Sequence, residues 1–317
     1  MKREWIALLL IAILCLAVGL AEPRYLQPRS IDSILLWMPL TVVLAMGQHL
    51  VVITGGIDIS IGSILAFAGI GVGLLLKAQP GLPIPLAFAC GIAIGLVLGF
   101  VNAALIVWLR LAPLIATIGT LAAFRGLTFA LSKGDQIDGS TLPDGLTSLA
   151  SNGVSAGGVT VSWLLVIGLG VAGATALFLR FGAAGRALFA VGSNAEAARL
   201  RGVSLSKATF VAYSTCGALA GLAGVMYAAR FGFVNPGSAG QNFELTVIAA
   251  VAIGGAKLTG GSGTVTGTLL GCLLLSCINV ALSTLGIDAN WQLLAYGTVI
   301  LAAIVVDGIR SKAEVAR

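Results

Sequence analysis

Side chains able to do chemistry are sparse in this sequence. Gly153-Val154-Ser155-Ala156-Gly157 matches the G-x-S-x-G pattern, in which a serine on a strained turn is activated by a histidine base. The one histidine, His49, lies far upstream inside an apolar run, whereas Ser155 sits in a polar, flexible stretch, so a serine hydrolase is a poor fit. No lysine follows a glycine, so a phosphate loop ending in Gly-Lys-Ser/Thr is absent, and by that route the chain cannot hydrolyse ATP itself. Cys15, Cys90, Cys216, Cys272 and Cys277 all fall in apolar runs without a C-x-x-C pair, which predicts free buried thiols. Neither a catalytic residue nor a metal site is expected.

What remains is a set of polar groups where apolar ones prevail. Asp58, Arg125, Glu244 and Asp307 lie within or at the edges of apolar runs, where an ionised group costs about 2.5 kcal/mol or more. Glu244 and Asp307, near the ends of their runs, are expected to reach a membrane interface. Arg125, deeper in its run, is expected to be structural, paired with an acid or with helix ends. Asn102, Thr117, Thr120, Asn279 and Gln292 are uncharged groups that hydrogen-bond either neighbouring helices or a hydroxylated solute. Two segments, Thr54 to Ser63 and Gly254 to Gly263, interrupt the apolar pattern with glycines and hydroxyls. Non-helical backbone at membrane depth is tolerated only inside protein or beside water, so these segments are read as tight turns or as the lining of a polar path. The candidate path residues are Asp58, Ser60, Asn102, Thr117 and Asn279.

The elements that must carry these groups follow from composition. The chain is 58% hydrophobic and 9% charged, with mean hydropathy +1.05, against about a quarter charged residues in soluble domains. A soluble globule is excluded. Membrane-spanning helices need roughly 20 apolar residues each, and the 317 residues form a single polytopic domain, an all-α integral membrane bundle of about ten spans. Spans are predicted at 5–22, 33–54, 61–77, 84–109, 112–131, 160–179, 207–229, 243–256, 264–285 and 291–307, with 243–253 short enough to be a broken or re-entrant helix. The 43 glycines argue for close helix packing. Glu22, Pro23 and Arg24 offer no small-residue cleavage site, so the first run is read as an uncleaved span.

Lysine and arginine mark the cytoplasmic side. With the N-terminus inside, twelve of the eighteen fall in inner segments, five fall outside and Arg125 lies within a span, which places both termini in the cytoplasm. The stretch 132–159 is then an outer polar loop, acidic through Asp135, Asp138 and Asp144. The stretch 180–207 is an inner segment with five cations and Glu196. It reads as a capped surface helix: Ser193 or Asn194 accepts from the first free amides, Glu196 complements the helix start, and Gly202 ends it. Such a helix is read as a docking surface, the alternative being a solvated basic loop that anchors the topology.

Several segments in order resemble the permeases of ribose-type ABC importers. They are Gly55 to Ser63, Pro113 to Thr120 with Arg125-Gly126, Gly185-Arg186, Ala190 to Asn194, Ala197 to Val203, and Glu244 through Gly271. The resemblance covers nearly the whole chain. It implies one inner-membrane permease subunit of a bacterial importer, working beside a second copy or a paralogue and surrounded by lipid. A separate ABC ATPase subunit would carry ATP and Mg, no cofactor would bind this chain, and a periplasmic binding protein would capture the sugar. No nucleic acid is expected. In such an importer 180–207 is the cytoplasmic coupling segment, with Arg186, Asn194, Glu196, Arg199 and Arg201 facing the ATPase. The chain departs from the family where it has Ile278-Asn279 in place of paired asparagines and Asn242-Phe243 in place of Gly-Tyr. An ion-coupled secondary carrier is the rival class, but it would place acids or histidines deep in its spans. A passive channel would show a repeated pore-lining charge pattern.

Overall fold

The computed structural model describes residues 2–287 and, beyond them, Trp291, Leu294, Gly297, Thr298 and Leu301. Its helices are α1 (Lys2–Ala21), α2 (Pro28–Ile53), α3 (Ile61–Ala78), α4 (Ile84–Trp108), α5 (Pro113–Ser132), α6 (Asp144–Ser151), α7 (Trp163–Phe181), α8 (Ala183–Ser193), α9 (Ala195–Leu200), α10 (Leu205–Phe231), α11 (Phe243–Ile253) and α12 (Val265–Thr284). A short antiparallel hairpin, β1 (Gly153–Ala156) with β2 (Val159–Ser162), precedes α7. Among the described residues, eight helices are long and apolar enough to cross a membrane. The chain is an all-α polytopic membrane protein. The expected span at 243–256 is the 11-residue α11, and the expected span 291–307, with Gln292 and Asp307, falls almost wholly outside the described residues.

Two helices form the centre. From Met38 onward every residue of α2 is buried, as is most of the second half of α10. Burial alone explains little here, because lipid tails are as apolar as leucine; close van der Waals packing must hold helices together. Glycines supply it. Gly91, Gly95 and Gly99 on α4 recur every fourth residue and face Gly217 and Gly221 on α10, which have the same spacing. A Cβ added at Gly95 would lie 2.8 Å from the Gly221 Cα, and one added at Gly217 would lie 2.6 Å from the Gly99 Cα. Any larger side chain must push the helices apart. On another face of α10, a Cβ at Gly224 would lie 2.9 Å from the Gly69 nitrogen of α3. Such backbone approach also permits Cα–H···O contacts worth about 0.5–1 kcal/mol each.

The helix ends sort into two groups. At one end the hairpin is tied to α2, since Asp32 Oδ1 accepts from the Thr160 N–H (2.7 Å). Ile137 and Val234 exchange backbone hydrogen bonds of 2.9 and 3.0 Å at that end. The stretch 132–159 is therefore folded rather than a plain loop, carrying a 3-10 turn, α6 and β1. At the opposite end, Glu4 Oε1 of α1 accepts from Thr264 (3.0 Å) and Thr266 (2.6 Å) at the start of α12.

Gly95→Val should force α4 and α10 apart and cost about 1–3 kcal/mol of overpacking. Gly173→Val, at a position with open space beside it, should leave thermal unfolding in detergent unchanged. Equal melting of the two variants would refute the packing assignment.

Candidate functional site

The break between α2 and α3 organises a buried polar knot. Thr54 ends α2, and Gly55 then takes φ +84°, a left-handed conformation that favours glycine. The chain turns back into the bundle, and Asp58 and Ser60 become fully buried. Asp58 Oδ1 accepts from the Ser60 N–H (2.9 Å) and the Ser60 hydroxyl (2.6 Å). Asn102, on α4, donates from Nδ2 to Ser60 Oγ (2.7 Å) and Asp58 Oδ2 (3.3 Å). The Gln48 amide of α2, oriented by its surroundings, donates to the Asp58 carbonyl (3.1 Å) and accepts from the Asp58 N–H (3.2 Å). The Ile57 carbonyl accepts from Thr117 Oγ1 of α5 (3.3 Å) and from the Tyr213 hydroxyl of α10 (3.4 Å). Four helices, α2, α4, α5 and α10, thus converge on seven residues of irregular chain, and each supplies a hydrogen bond that water cannot supply at this depth.

Four of the five candidate path residues, Asp58, Ser60, Asn102 and Thr117, are brought together in this knot and are closed to solvent. Asn279 is set apart. It lies on α12, in the neighbourhood where the Tyr25 hydroxyl donates to the Cys277 carbonyl (3.1 Å). Thr120 is buried beside the knot and donates to the Thr117 carbonyl (3.3 Å). Gln48 and Tyr213 were not singled out from sequence; a glutamine inside an apolar run was the available signal.

The two glycine-rich segments meet. A Cβ at Gly260, where φ is +94°, would lie 2.9 Å from the Gly55 Cα, and the Gly261 N–H donates to the Ile53 carbonyl (2.9 Å). Onto this joint comes the end of α8: a Cβ at Gly192 would lie 2.6 Å from the Gly261 nitrogen, and the Ser193 hydroxyl donates to the Gly261 carbonyl (3.4 Å). One residue later α9 begins. Asn194 is its cap, accepting from the Ala197 N–H (2.9 Å), whereas Ser193 serves the joint. Glu196 sits in the first turn of α9, Arg199 in its last, and Gly202 follows at φ +80°. Glu196, Arg199 and Arg201 are exposed. Arg186 of α8 donates to the Phe181 carbonyl (2.9 Å) and so caps the end of α7. Leu200, passed over in the sequence, is 81% exposed between the two arginines.

Arg125 meets backbone carbonyls of the irregular chain between α10 and α11 rather than helix ends. Its guanidinium donates to the Pro236 (3.0 Å) and Ala239 (2.6 Å) carbonyls, with Glu244 nearby. Glu244 is half-buried and faces the N–H groups that open α11. The Ser155 hydroxyl pairs with Thr160 (3.0 Å), while His49 is buried within α2 against Thr268 (2.9 Å), so no serine–histidine pair forms. All five cysteines are free. Among the described residues no group of three or more His, Cys, Asp or Glu side chains is placed to hold a metal.

Asn102→Ala should leave Asp58 and Ser60 each short of a partner and cost about 1–3 kcal/mol. The check is equilibrium unfolding in detergent; stability equal to wild type would show that the knot does not hold the break.

Comparison with known proteins places this architecture. Residues 30–304 match a family model described as "Branched-chain amino acid transport system / permease component". The Autoinducer 2 import system permease protein LsrC of Escherichia coli (strain K12 / DH10B) is 36% identical over 310 residues, 97% of this chain and 87% of that protein. The LsrC protein of Yersinia enterocolitica serotype O:8 / biotype 1B is 36% identical over 307 residues, 97% of this chain and 83% of its own. No solved structure matches the chain. Agreement over most of both lengths, in proteins that share one stated role, supports the resemblance drawn from Gly55 to Gly271: this chain belongs to the branched-chain amino acid transport system permease family, as a permease of the monosaccharide-type ABC importers.

Proposed function

We propose that this chain is the membrane subunit through which an ATP-driven importer passes a monosaccharide or similar polyhydroxylated solute from periplasm to cytoplasm. A separate ATPase energises it, and a periplasmic binding protein delivers the cargo. The similar proteins named above are import-system permeases for autoinducer 2. A homodimer or a pair with a paralogous permease would enclose the path, with about ten spans per subunit set in the bacterial inner membrane.

One observation carries the coupling half of this reading. The end of α8 rests main chain on main chain against Gly261, which is hydrogen-bonded to Ile53, seven residues from Ser60. Force applied to α9 therefore has a short covalent and hydrogen-bonded route to the Asp58 knot. Arg186, Asn194, Glu196, Arg199 and Arg201 form the cytoplasmic coupling segment in this reading, Asn194 and Arg186 by shaping it and the others by facing the ATPase. The exposed Leu200 gives the surface an apolar anchor, a composition suited to a protein groove. The contact of Glu4 with Thr264 and Thr266 joins the N-terminus to the end of the bundle that carries this segment, which supports a cytoplasmic N-terminus in this reading. The hairpin and α6 then form the periplasmic face. Asp58, Ser60, Asn102 and Thr117 meet cargo only when the helices part, in a rigid-body change driven by the ATPase.

In proteoliposomes holding the chain with its ATPase and binding protein, labelled ribose, galactose and autoinducer 2 are the probes. Uptake of at least one should need ATP and every component. Glu196→Arg should cut it about tenfold or more, the loss of ~1.4 kcal/mol of coupling, with assembly unchanged. Uptake by the chain alone, driven by an ion gradient, would replace this reading with a secondary carrier.

A further inference from the structure

A second stretch of irregular chain, residues 232–242, also runs at membrane depth. It links α10 to the short α11. Two independent contacts fix its level. Arg125, which holds the Pro236 and Ala239 carbonyls, lies twelve residues from the start of α5 and seven from its end, about 18 Å and 10 Å along the helix axis. Beside α3, Val234 stands against Gly69 (Cγ1 3.3 Å from a Cβ placed there), while Gly240 touches Gly62 backbone to backbone. The segment therefore descends about 10 Å along a spanning helix before α11 begins.

Its polar side chains are consumed only in part by the fold, although the Ser238 side chain does share a hydrogen bond with Tyr227. Ser238, Gln241 and Asn242 are exposed. Asn235 Oδ1 is spent on the Gly237 (2.9 Å) and Ser238 (3.2 Å) N–H groups, and Gln241 donates its Nε2 to the Gly237 carbonyl. That leaves the Gln241 side-chain carbonyl to accept and the Asn242 amide to donate and accept. Exposed amides facing hydrocarbon would be costly, so this surface faces water or protein.

The charges nearby are already engaged. Arg125 is bound to two carbonyls with Glu244 beside it, and Glu244 faces the N–H groups of Asn242 and its own residue at the start of α11. The helix start is thus occupied from within, and neither Arg125 nor Glu244 is left bare to meet an anion or a zwitterion. Resting on the permease reading above, we propose that Ser238, Gln241 and Asn242 form a cargo-contacting site in the translocation path, built for an uncharged polyhydroxylated solute. Amides that both donate and accept suit hydroxyls, which do the same.

The test introduces Ser238→Cys, Gln241→Cys and Asn242→Cys one at a time into the intact transporter in proteoliposomes and follows reaction with a charged, membrane-impermeant methanethiosulfonate. Wild type sets the background from the native thiols. Val154→Cys on the exposed hairpin and Leu96→Cys on the exposed apolar face of α4 set the fast and slow limits. The three sites should react well above Leu96→Cys, and ribose or autoinducer 2 should slow them while leucine does not. Reaction no faster than Leu96→Cys overturns the proposal, as does disulfide cross-linking between copies in its place, which would make the segment a subunit contact. Slowing by leucine, or by none of the three solutes, overturns the cargo class. Slowing by ribose in a chain that the preceding assay shows to work without an ATPase would uphold this site and remove the ABC-importer reading instead.

Discussion

Inside a membrane every break in a helix leaves N–H and C=O groups that no water will satisfy, and that constraint shapes this molecule more than any other. The chain breaks twice at depth, after α2 and after α10. The two solutions differ. The first break is covered from four helices and sealed, with Asp58 and Ser60 fully buried. The second is held from one side by Arg125 and leaves Gln241 and Asn242 uncovered. An unfavourable group is accepted in both places, and only in the second does it keep hydrogen-bonding capacity for something outside the fold.

Glycine makes these arrangements possible. The α4–α10 contact brings two backbones close enough that Gly95, Gly99, Gly217 and Gly221 leave no room for a methyl group. That stiff pair stands behind Asn102 and Tyr213, which reach the first break from α4 and α10 respectively. Rigid packing at one site thus sets the geometry of the polar groups beside it. A second glycine set, Gly55, Gly192, Gly260 and Gly261, joins three segments far apart in sequence at one end of the bundle.

Much of this was legible beforehand. Hydropathy located the long helices, because a span leaves an unbroken apolar run; α2, α3 and α12 fall within a few residues of expectation. The interrupted patterns at Thr54 to Ser63 and Gly254 to Gly263 marked turns correctly, and the Asn194 cap was readable from its neighbours. Their meeting was not, since glycine spacing shows that something comes close without saying what. Asp58 and Asn102 stand out in the sequence because they are polar and apolar residues surround them; their closure to solvent depends on three-dimensional neighbours such as Gln48, which no spacing shows. Glu244 is expected at an interface because it opens a predicted apolar run; in the fold it is half-buried at the start of the 11-residue α11, beside Arg125. The hairpin of β1 and β2 is not legible in the sequence because its alternation covers only four residues per strand.

The joint between Gly192, Gly261 and Ile53 has one more consequence. No residue is smaller than glycine, so each substitution at Gly192 can only widen the gap and none can tighten it. A contact with side chains can drift in small steps of size and polarity, and its stiffness can be adjusted from generation to generation. A contact made of bare backbone has no such dial. Adaptation to a different partner or a different solute must then accumulate elsewhere, on the outward surface of α9 or along residues 232–242, while the joint itself stays as it is.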